Sequence, residues 1–179
     1  FLVDVGTDGF DISEGTRSVS YRGYLTFQLG FSDVRLGPGQ ILGEEGRGLE
    51  LSGKWLSMNR VWVGASCCGK AERLFDLAAE WAATRKQFGQ PIGKFQATGF
   101  KLADMAVELK AADLLVMDAV TRADKGKMTD SDAAMVKLYC SEMLNRAADN
   151  TVQIYGGMGL MEEMPIQRLW RDSRLERIW

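Results

Sequence analysis

The loop at residues 85–96 gathers residue types that bind anions. It contains three basic side chains, Arg85, Lys86 and Lys94, together with three glutamines and two glycines. Arginine presents a planar fork of N–H donors that matches the oxygens of a phosphate group. The ring of Phe88 could pack on a flat ligand ring. The composition indicates a site for a pyrophosphate-like group, but it fits a solvated connection between two helices equally well.

A second candidate is the glycine-rich corner at residues 153–159, which reads Gln-Ile-Tyr-Gly-Gly-Met-Gly. A helical pattern ends there in Gly156 and Gly157 and begins again after Pro165. Glycine adopts the left-handed conformation at a helix end without a Cβ clash, and proline suits the first turn of the next helix. Such a corner exposes backbone and lets a ligand approach closely. A helix C-cap is the commoner reason for this pattern, so the corner alone does not identify a site.

Four helical tracts position these two segments. Apolar residues recur every three or four positions, as on one face of a helix. The tracts run from about Leu49 to Thr84, from after Gly93 to Lys125, from Thr129 to the glycine corner, and from Pro165 onward. Because the connections are short, neighbouring helices are expected to be antiparallel. The predicted fold is mainly α, an antiparallel up-down bundle of three long helices and a final one.

The apolar face of each tract predicts the core of this bundle. The predicted core positions are Leu56, Val63, Cys67, Leu74, Ala78 and Trp81 in the first tract, Leu102, Met105, Leu109, Ala112, Val116 and Ala119 in the second, Val136, Cys140, Met143, Ala147 and Ile154 in the third, and Ile166, Leu169 and Trp170 in the fourth. Gly53, Gly64 and Gly69 interrupt the first tract, and each costs about 1 kcal/mol against alanine inside a helix. We interpret them as positions where another backbone approaches closely.

The bundle is preceded by strand signals in residues 1–44. Residues 1–5 are short and apolar, residues 24–29 alternate polar and apolar side chains, and residues 31–34 follow. Two to four strands are too few for an independent barrel or sandwich. We therefore predict that residues 1–45 are the end of a β domain, that residues 46–179 form the helical domain, and that the chain is part of a longer protein.

Composition excludes several classes of function. The chain of 179 residues has a formal net charge of −2, so it has no basic excess for binding nucleic acid. No apolar run reaches the roughly 18 residues of a membrane span, and no signal peptide is recognisable. The absence of histidine excludes histidine-based triads and metal sites. Cys67, Cys68 and Cys140 are read as buried apolar residues in a reducing compartment, and no metal site is predicted.

Taken together, the loop, the glycine corner and the helix start that follows it resemble the acyl-CoA dehydrogenase family. The resemblance rests on R-K-Q-F-G-Q-P-I-G-K-F-Q at residues 85–96, then Q-I-Y-G-G-M-G at residues 153–159, then P-I-Q-R-L-W-R-D-S-R at residues 165–174. It covers nearly the whole chain: residues 1–44 resemble the end of the family's middle β domain, and residues 46–179 resemble most of its C-terminal helical domain. Two widely spaced motifs in the right order make the resemblance specific.

The resemblance implies a flavoenzyme that binds FAD. In the family, the arginine of this loop and the glutamine that closes it hold the FAD of a neighbouring subunit; these are Arg85 and Gln96 here, with Gln87 and Phe88 lining the same site. The glycine corner contacts the adenosine half of that cofactor. Its matching residues are Gln153, Ile154, Tyr155, Gly156 and Gly157. An amide such as that of Gln153 gives a directional hydrogen bond.

The resemblance also implies a site for acyl-CoA on the first long helix, at Ser57, Asn59 and Arg60. Arg60 is either a substrate contact or part of a structural ion pair. The reaction needs a carboxylate that removes the α-proton of the thioester while the β-hydrogen passes to the flavin as hydride. In most of the family this glutamate would directly follow Trp179. A minority carry the base at the position that Asn59 occupies here, and an asparagine side chain cannot act as a base.

No catalytic residue is therefore assigned within the chain, since Glu50 and Glu72 flank that position without matching it. The implied function is α,β-dehydrogenation of an acyl-CoA thioester, with an electron-transfer flavoprotein or another acceptor as partner and a homotetramer as the assembly. The expected location is the cytoplasm, or the mitochondrial matrix in a eukaryote. The alternatives are a catalytically silent helical assembly module, an acyl-CoA oxidase and a flavin monooxygenase. The chain alone is expected to lack turnover.

Overall fold

The computed structural model describes all 179 residues. The chain forms two compact units, residues 1–56 and residues 57–179, and the division falls within the first long helix. The helices are α1 (Gly48–Thr84), α2 (Gln96–Asp124), α3 (Asp130–Tyr155) and α4 (Pro165–Glu176). The strands are β1 (Phe10–Glu14), β2 (Phe27–Phe31), β3 (Lys86–Gln87) and β4 (Gln90–Pro91). The predicted domain boundary at residue 45 stays a prediction.

The first unit contains one antiparallel strand pair. β1 pairs with β2 so that Phe10 lies opposite Phe31, and the two rings stack with centroids 4.9 Å apart. β2 overlaps the alternating segment that the sequence indicated. The strand predicted at residues 1–5 is wrong: the Leu2 amide donates to the Gln40 carbonyl at 2.8 Å, but residues 1–5 pair with no strand. An apolar run without a partner strand has no ladder to join.

The second unit is helical, and the predicted fold class is confirmed. α1, α2 and α3 begin and end within a few residues of the predicted bounds, and α4 begins at Pro165 as predicted. α3 begins with a capping box in which the Thr129 hydroxyl accepts from the Asp132 amide at 3.2 Å and Asp132 Oδ2 accepts from the Thr129 amide at 2.9 Å. This arrangement satisfies two amides of the first turn that lack helical partners. No helix combines the length and apolarity that a membrane span requires.

The core of this unit lies between α1, α2, α3 and α4. The buried apolar side chains include Cys67, Leu74, Ala78, Met105, Ala112, Val116, Val136, Cys140, Met143, Leu144, Ala147, Ile154 and Ile166. Most of the predicted core positions are therefore confirmed. Leu56 and Trp170 are wrong, since they are 39% and 42% exposed. Leu56 lies next to the buried Ser57, whereas both neighbours of Trp170 are half-buried.

Gly64 is a point of close packing between α1 and its neighbours. A Cβ there would lie 2.3 Å from Val136 Cγ1 of α3 and 3.5 Å from Val116 Cγ2 of α2. Gly53 and Gly69 are exposed, and a Cβ on either would meet nothing within 4 Å. A close approach is thus found at Gly64, where side chains rather than another backbone meet α1, and the prediction is wrong for the other two glycines.

The three cysteines are buried and free. Burial, and to a lesser extent the Glu176 carboxylate, raises the pKa of Cys67 to about 12. The Cys67 thiol therefore stays protonated, as expected of a residue that serves as a small apolar side chain.

An ion pair joins the end of α4 to the middle of α1. Glu176 is fully buried and pairs with Lys70, and Glu176 Oε2 also accepts from the Trp179 indole N–H at 2.7 Å. A buried carboxylate is tolerated only where charge and hydrogen bonds compensate its desolvation. The pair fixes how the last turn of α4 lies on α1.

Candidate functional site

The loop at residues 85–96, where the sequence predicted an anion site, begins with a tight β-hairpin that follows α1. β3 and β4 pair around Phe88 and Gly89, which have φ angles of 51° and 80°. Positive φ at both central residues is the geometry of a two-residue type I′ turn. Phe88 is 92% exposed at the tip, and its ring meets Phe95 edge-on at 6.2 Å. The hairpin was not predicted, because Phe-Gly is not among the residue pairs that signal this turn.

Arg85 lies at the base of this hairpin and points back along α1. Its guanidinium carbon is 5.8 Å from the centre of the Trp81 ring, and it forms no ion pair in the structure. The Arg85 carbonyl accepts from the Ile92 amide at 2.8 Å, which closes the hairpin onto the end of the helix. The arginine is therefore held near its base while its donors remain exposed to solvent.

An aromatic stack, formed by Trp81 and Tyr155, joins this loop to the glycine corner. The two rings are 4.5 Å apart and 13° from parallel. The Tyr155 hydroxyl donates to the Leu77 carbonyl of α1 at 3.1 Å. Burial raises the pKa of Tyr155, with the Glu80 carboxylate adding to the effect, so the hydroxyl remains a donor. Because Tyr155 is the last residue of α3, the stack brings the two predicted cofactor segments together.

The corner itself is a helix end that glycine makes possible. Gly156 has φ 61° and ψ −141°, a conformation that residues with a Cβ rarely adopt, and its amide donates to the carbonyls of Val152 and Gln153. A Cβ at Gly156 or Gly157 would meet nothing within 4 Å, whereas one at Gly159 would lie 3.0 Å from the Val152 carbonyl oxygen. The first two glycines therefore leave open space beside the helix end, while Gly159 packs against α3.

The Trp81–Tyr155 stack forms a junction between the hairpin and the glycine corner. Most of the residues predicted to contact the cofactor are exposed near this junction, but some of their side chains are buried. Gln96 is exposed at the first residue of α2, and Gln87 and Gln153 are also exposed. Ile154, in contrast, is 8% exposed and belongs to the core of the second unit. Any contact that Ile154 makes with a ligand would therefore use its backbone.

The predicted substrate residues lie on α1, far from the hairpin. Ser57 is buried and donates its hydroxyl proton to Asp130 Oδ1, at the start of α3. Asn59 and Arg60 are half-buried, and Arg60 forms no ion pair. At 1.5 Å per residue, Arg60 and Arg85 are separated by about 37 Å along the helix. The structure thus places the predicted substrate residues in the first half of α1 and the hairpin just after its last residue.

The residues at the junction fit a dinucleotide such as FAD. An exposed guanidinium without a carboxylate partner suits a phosphate group, and the open space at Gly156 and Gly157 allows a ligand to approach the backbone. The carboxamides of Gln96 and Gln153 can each donate and accept hydrogen bonds to such a ligand. None of these groups is a base or a nucleophile, so the arrangement can bind and orient a ligand without itself supplying acid–base chemistry.

Comparison with known proteins finds relatives that span the whole chain. A model of the acyl-CoA dehydrogenase C-terminal domain matches residues 46–179. The human mitochondrial short-chain specific acyl-CoA dehydrogenase is 37% identical over 179 residues, which is 100% of this chain and 43% of that protein. The solved butyryl-CoA dehydrogenase of Megasphaera elsdenii is 36% identical with a TM-score of 0.94, covering 99% of this chain and 46% of that one.

A second solved structure, described as PigA with FAD and proline, has a TM-score of 0.95 at 26% identity, covering 100% of this chain and 47% of that one. The chain spans about half the length of the curated relatives it matches. The family match covers three quarters of the chain and includes both segments of the junction. The chain therefore belongs to the acyl-CoA dehydrogenase family, in which its residues 46–179 correspond to the C-terminal domain.

Proposed function

We propose that this chain is part of an FAD-dependent acyl-CoA dehydrogenase that oxidises the α,β bond of an acyl-CoA thioester. Its own share of the reaction is to hold the cofactor and to contact the substrate. Arg85 and Gln96 would bind the cofactor, Gln87 and Phe88 would line the site, and the residues of the glycine corner would contact the adenosine half. When bound, FAD supplies the hydride acceptor, which no side chain can replace.

The observation that carries this proposal is the meeting of two sequence segments at one place. Residues 85 and 153 are far apart in the chain, yet the stack of Trp81 on Tyr155, with centroids 4.5 Å apart, joins their helices. The exposed guanidinium of Arg85 contacts one ring of that stack, and Gly156 and Gly157, with open space beside them, directly follow the residue that carries the other. A solvated loop with no ligand would not need this convergence of donors.

The length of α1 supports sharing of the cofactor between subunits. Ser57, Asn59 and Arg60 would contact acyl-CoA, but they lie about 37 Å along the helix from Arg85. Hydride transfer requires substrate and flavin ring to touch. The Arg85 loop would therefore serve the FAD of a neighbouring subunit, whose reacting ring meets that subunit's own substrate. An electron-transfer flavoprotein or another acceptor would then reoxidise the cofactor.

The test is the retention of FAD in the whole enzyme that carries this chain. Arg85→Ala should raise the Kd for FAD by roughly 10- to 100-fold, because a phosphate loses a charge-assisted, bidentate partner. The matched control is Arg174→Ala, which removes another exposed arginine, from α4. Kd would be measured by titrating apoprotein with FAD and following flavin fluorescence. An unchanged Kd in Arg85→Ala would show that the cofactor site lies elsewhere.

A further inference from the structure

Trp81 lies between two groups that the proposed cofactor site depends on. It is half-buried near the end of α1, with one ring contact to the Arg85 guanidinium at 5.8 Å and another to Tyr155 at 4.5 Å. Tyr155 is in turn fixed by the hydrogen bond from its hydroxyl to the Leu77 carbonyl, 3.1 Å long. The three side chains form a continuous series from the core of the bundle to the exposed loop.

The guanidinium of Arg85 has no other anchor. It forms no ion pair and no side-chain hydrogen bond, so the Trp81 ring is the group that limits its motion. A free arginine side chain has many rotamers, and ordering it on a ligand costs conformational entropy. A cation held over an aromatic ring loses part of that freedom before the ligand arrives. Such preorganisation strengthens binding without any new contact to the ligand.

We propose that Trp81 is a positioning residue for the cofactor, acting through Arg85. Its indole ring holds the guanidinium in the orientation that meets a phosphate group, and Tyr155 keeps the indole in place. This inference rests on the proposed function, because it takes FAD as the ligand of Arg85. It adds that the affinity for FAD depends on a side chain that none of the predicted contacts includes.

A purely structural role for Trp81 makes different predictions. If the indole only fills space at the end of the bundle, its loss lowers stability and leaves the affinity of the folded protein for FAD unchanged. If it positions Arg85, its loss weakens FAD binding only while Arg85 is present. The two roles therefore separate in a double-mutant cycle, in which residues that act as one unit give non-additive effects.

The experiment compares Kd values for FAD in the whole apoenzyme, by flavin fluorescence, for Trp81→Leu, Trp81→Phe, Arg85→Ala and the double variant Trp81→Leu/Arg85→Ala. The matched control is Phe75→Leu, a half-buried aromatic of α1 that packs on the core away from Arg85. We expect Trp81→Leu to raise Kd about three- to fivefold, Trp81→Phe to restore most of the affinity, and Phe75→Leu to leave it unchanged. In the Arg85→Ala background, Trp81→Leu should have no further effect.

A second readout does not involve the cofactor. Hydrogen exchange of the Ile92 amide, which donates to the Arg85 carbonyl at 2.8 Å, should be faster in apo Trp81→Leu than in apo Phe75→Leu. An unchanged Kd in Trp81→Leu, or the same increase with and without Arg85, would overturn the inference while leaving the proposed function intact. An unchanged Kd in Arg85→Ala would instead overturn the proposed function itself.

Discussion

Gly64 of α1 is a residue whose lack of a side chain the packing requires. A Cβ there would lie 2.3 Å from Val136 Cγ1, whereas one at Gly69 would meet nothing within 4 Å. We expect Gly64→Ala to lower the free energy of unfolding by about 1–3 kcal/mol through overpacking. Gly69→Ala, the matched control, should raise it by about 0.5–1 kcal/mol, because alanine is the better helix former. Urea unfolding measures both, and a more stable Gly64→Ala protein would contradict the packing.

Single residues are also where prediction from sequence was least complete. The three glycines of α1 look alike in the sequence, and only the neighbours that fold against them separate Gly64 from Gly53 and Gly69. The positive φ of Phe88 has no local signal, because the hairpin imposes it on a residue that rarely adopts it. Arg85 and the glycine corner could be predicted as site residues because an arginine in a loop and two adjacent glycines are recognisable by residue type alone. Trp81, which joins them, reads as an ordinary core position.

At the scale of elements, the ion pair between Lys70 of α1 and Glu176 of α4 offers a direct test of how α4 docks. Glu176 is 1% exposed and Lys70 is 20% exposed, so Glu176→Leu leaves a largely buried ammonium without this partner. We expect a loss of about 3 kcal/mol in the free energy of unfolding, recovered in large part by Lys70→Met/Glu176→Leu.

The matched control for that prediction is Glu142→Leu, which breaks the more exposed pair with Arg177 and should cost less than about 1 kcal/mol. The free energy of unfolding would be measured, by heat or urea, for the wild-type protein, Glu176→Leu, Lys70→Met/Glu176→Leu and Glu142→Leu. Equal losses in Glu176→Leu and Glu142→Leu would mean that the buried pair does not hold α4 in place.

The helices could be predicted from the sequence far better than the strands. A helix satisfies its hydrogen bonds locally. The apolar periodicity of α2 and α3 and the N-cap at Thr129 were therefore enough to predict where these helices lie. A strand depends on its partner. For that reason residues 1–5 looked like a strand and are not one, while Phe10–Glu14 pairs with β2 without a strong signal of its own. The hairpin of β3 and β4 was missed for the same reason.

For the whole molecule, the proposed homotetramer needs a surface on which subunits meet. The side chains of Met143 and Ile154 lie in the core, 1% and 8% exposed, so they do not form such a surface. A better candidate is a stripe on α2 formed by Phe100, Val107, Leu114 and Met117, apolar side chains that are all at least 59% exposed. Exposed apolar stripes of this kind mark protein–protein contacts.

We therefore expect the whole enzyme to sediment as a tetramer at micromolar concentration, and Val107→Glu with Leu114→Glu to shift it to smaller species. The matched control is Met135→Glu with Leu138→Glu, which introduces two glutamates at exposed apolar positions of α3 instead of α2. Sedimentation velocity gives the mass directly. A wild-type protein that sediments only as a monomer would contradict the shared cofactor site as well as the stripe.

The central claim is that this chain serves the FAD-dependent oxidation of an acyl-CoA, and anaerobic reduction of the bound flavin tests it most directly. The purified whole enzyme, loaded with FAD, would be mixed without oxygen with a series of saturated acyl-CoA thioesters beginning with butyryl-CoA, and the visible absorbance of the flavin followed. The account predicts rapid bleaching by at least one thioester, with the enoyl-CoA formed in the same amount as the flavin reduced. A correctly folded, FAD-loaded enzyme whose flavin no acyl-CoA reduces would contradict it.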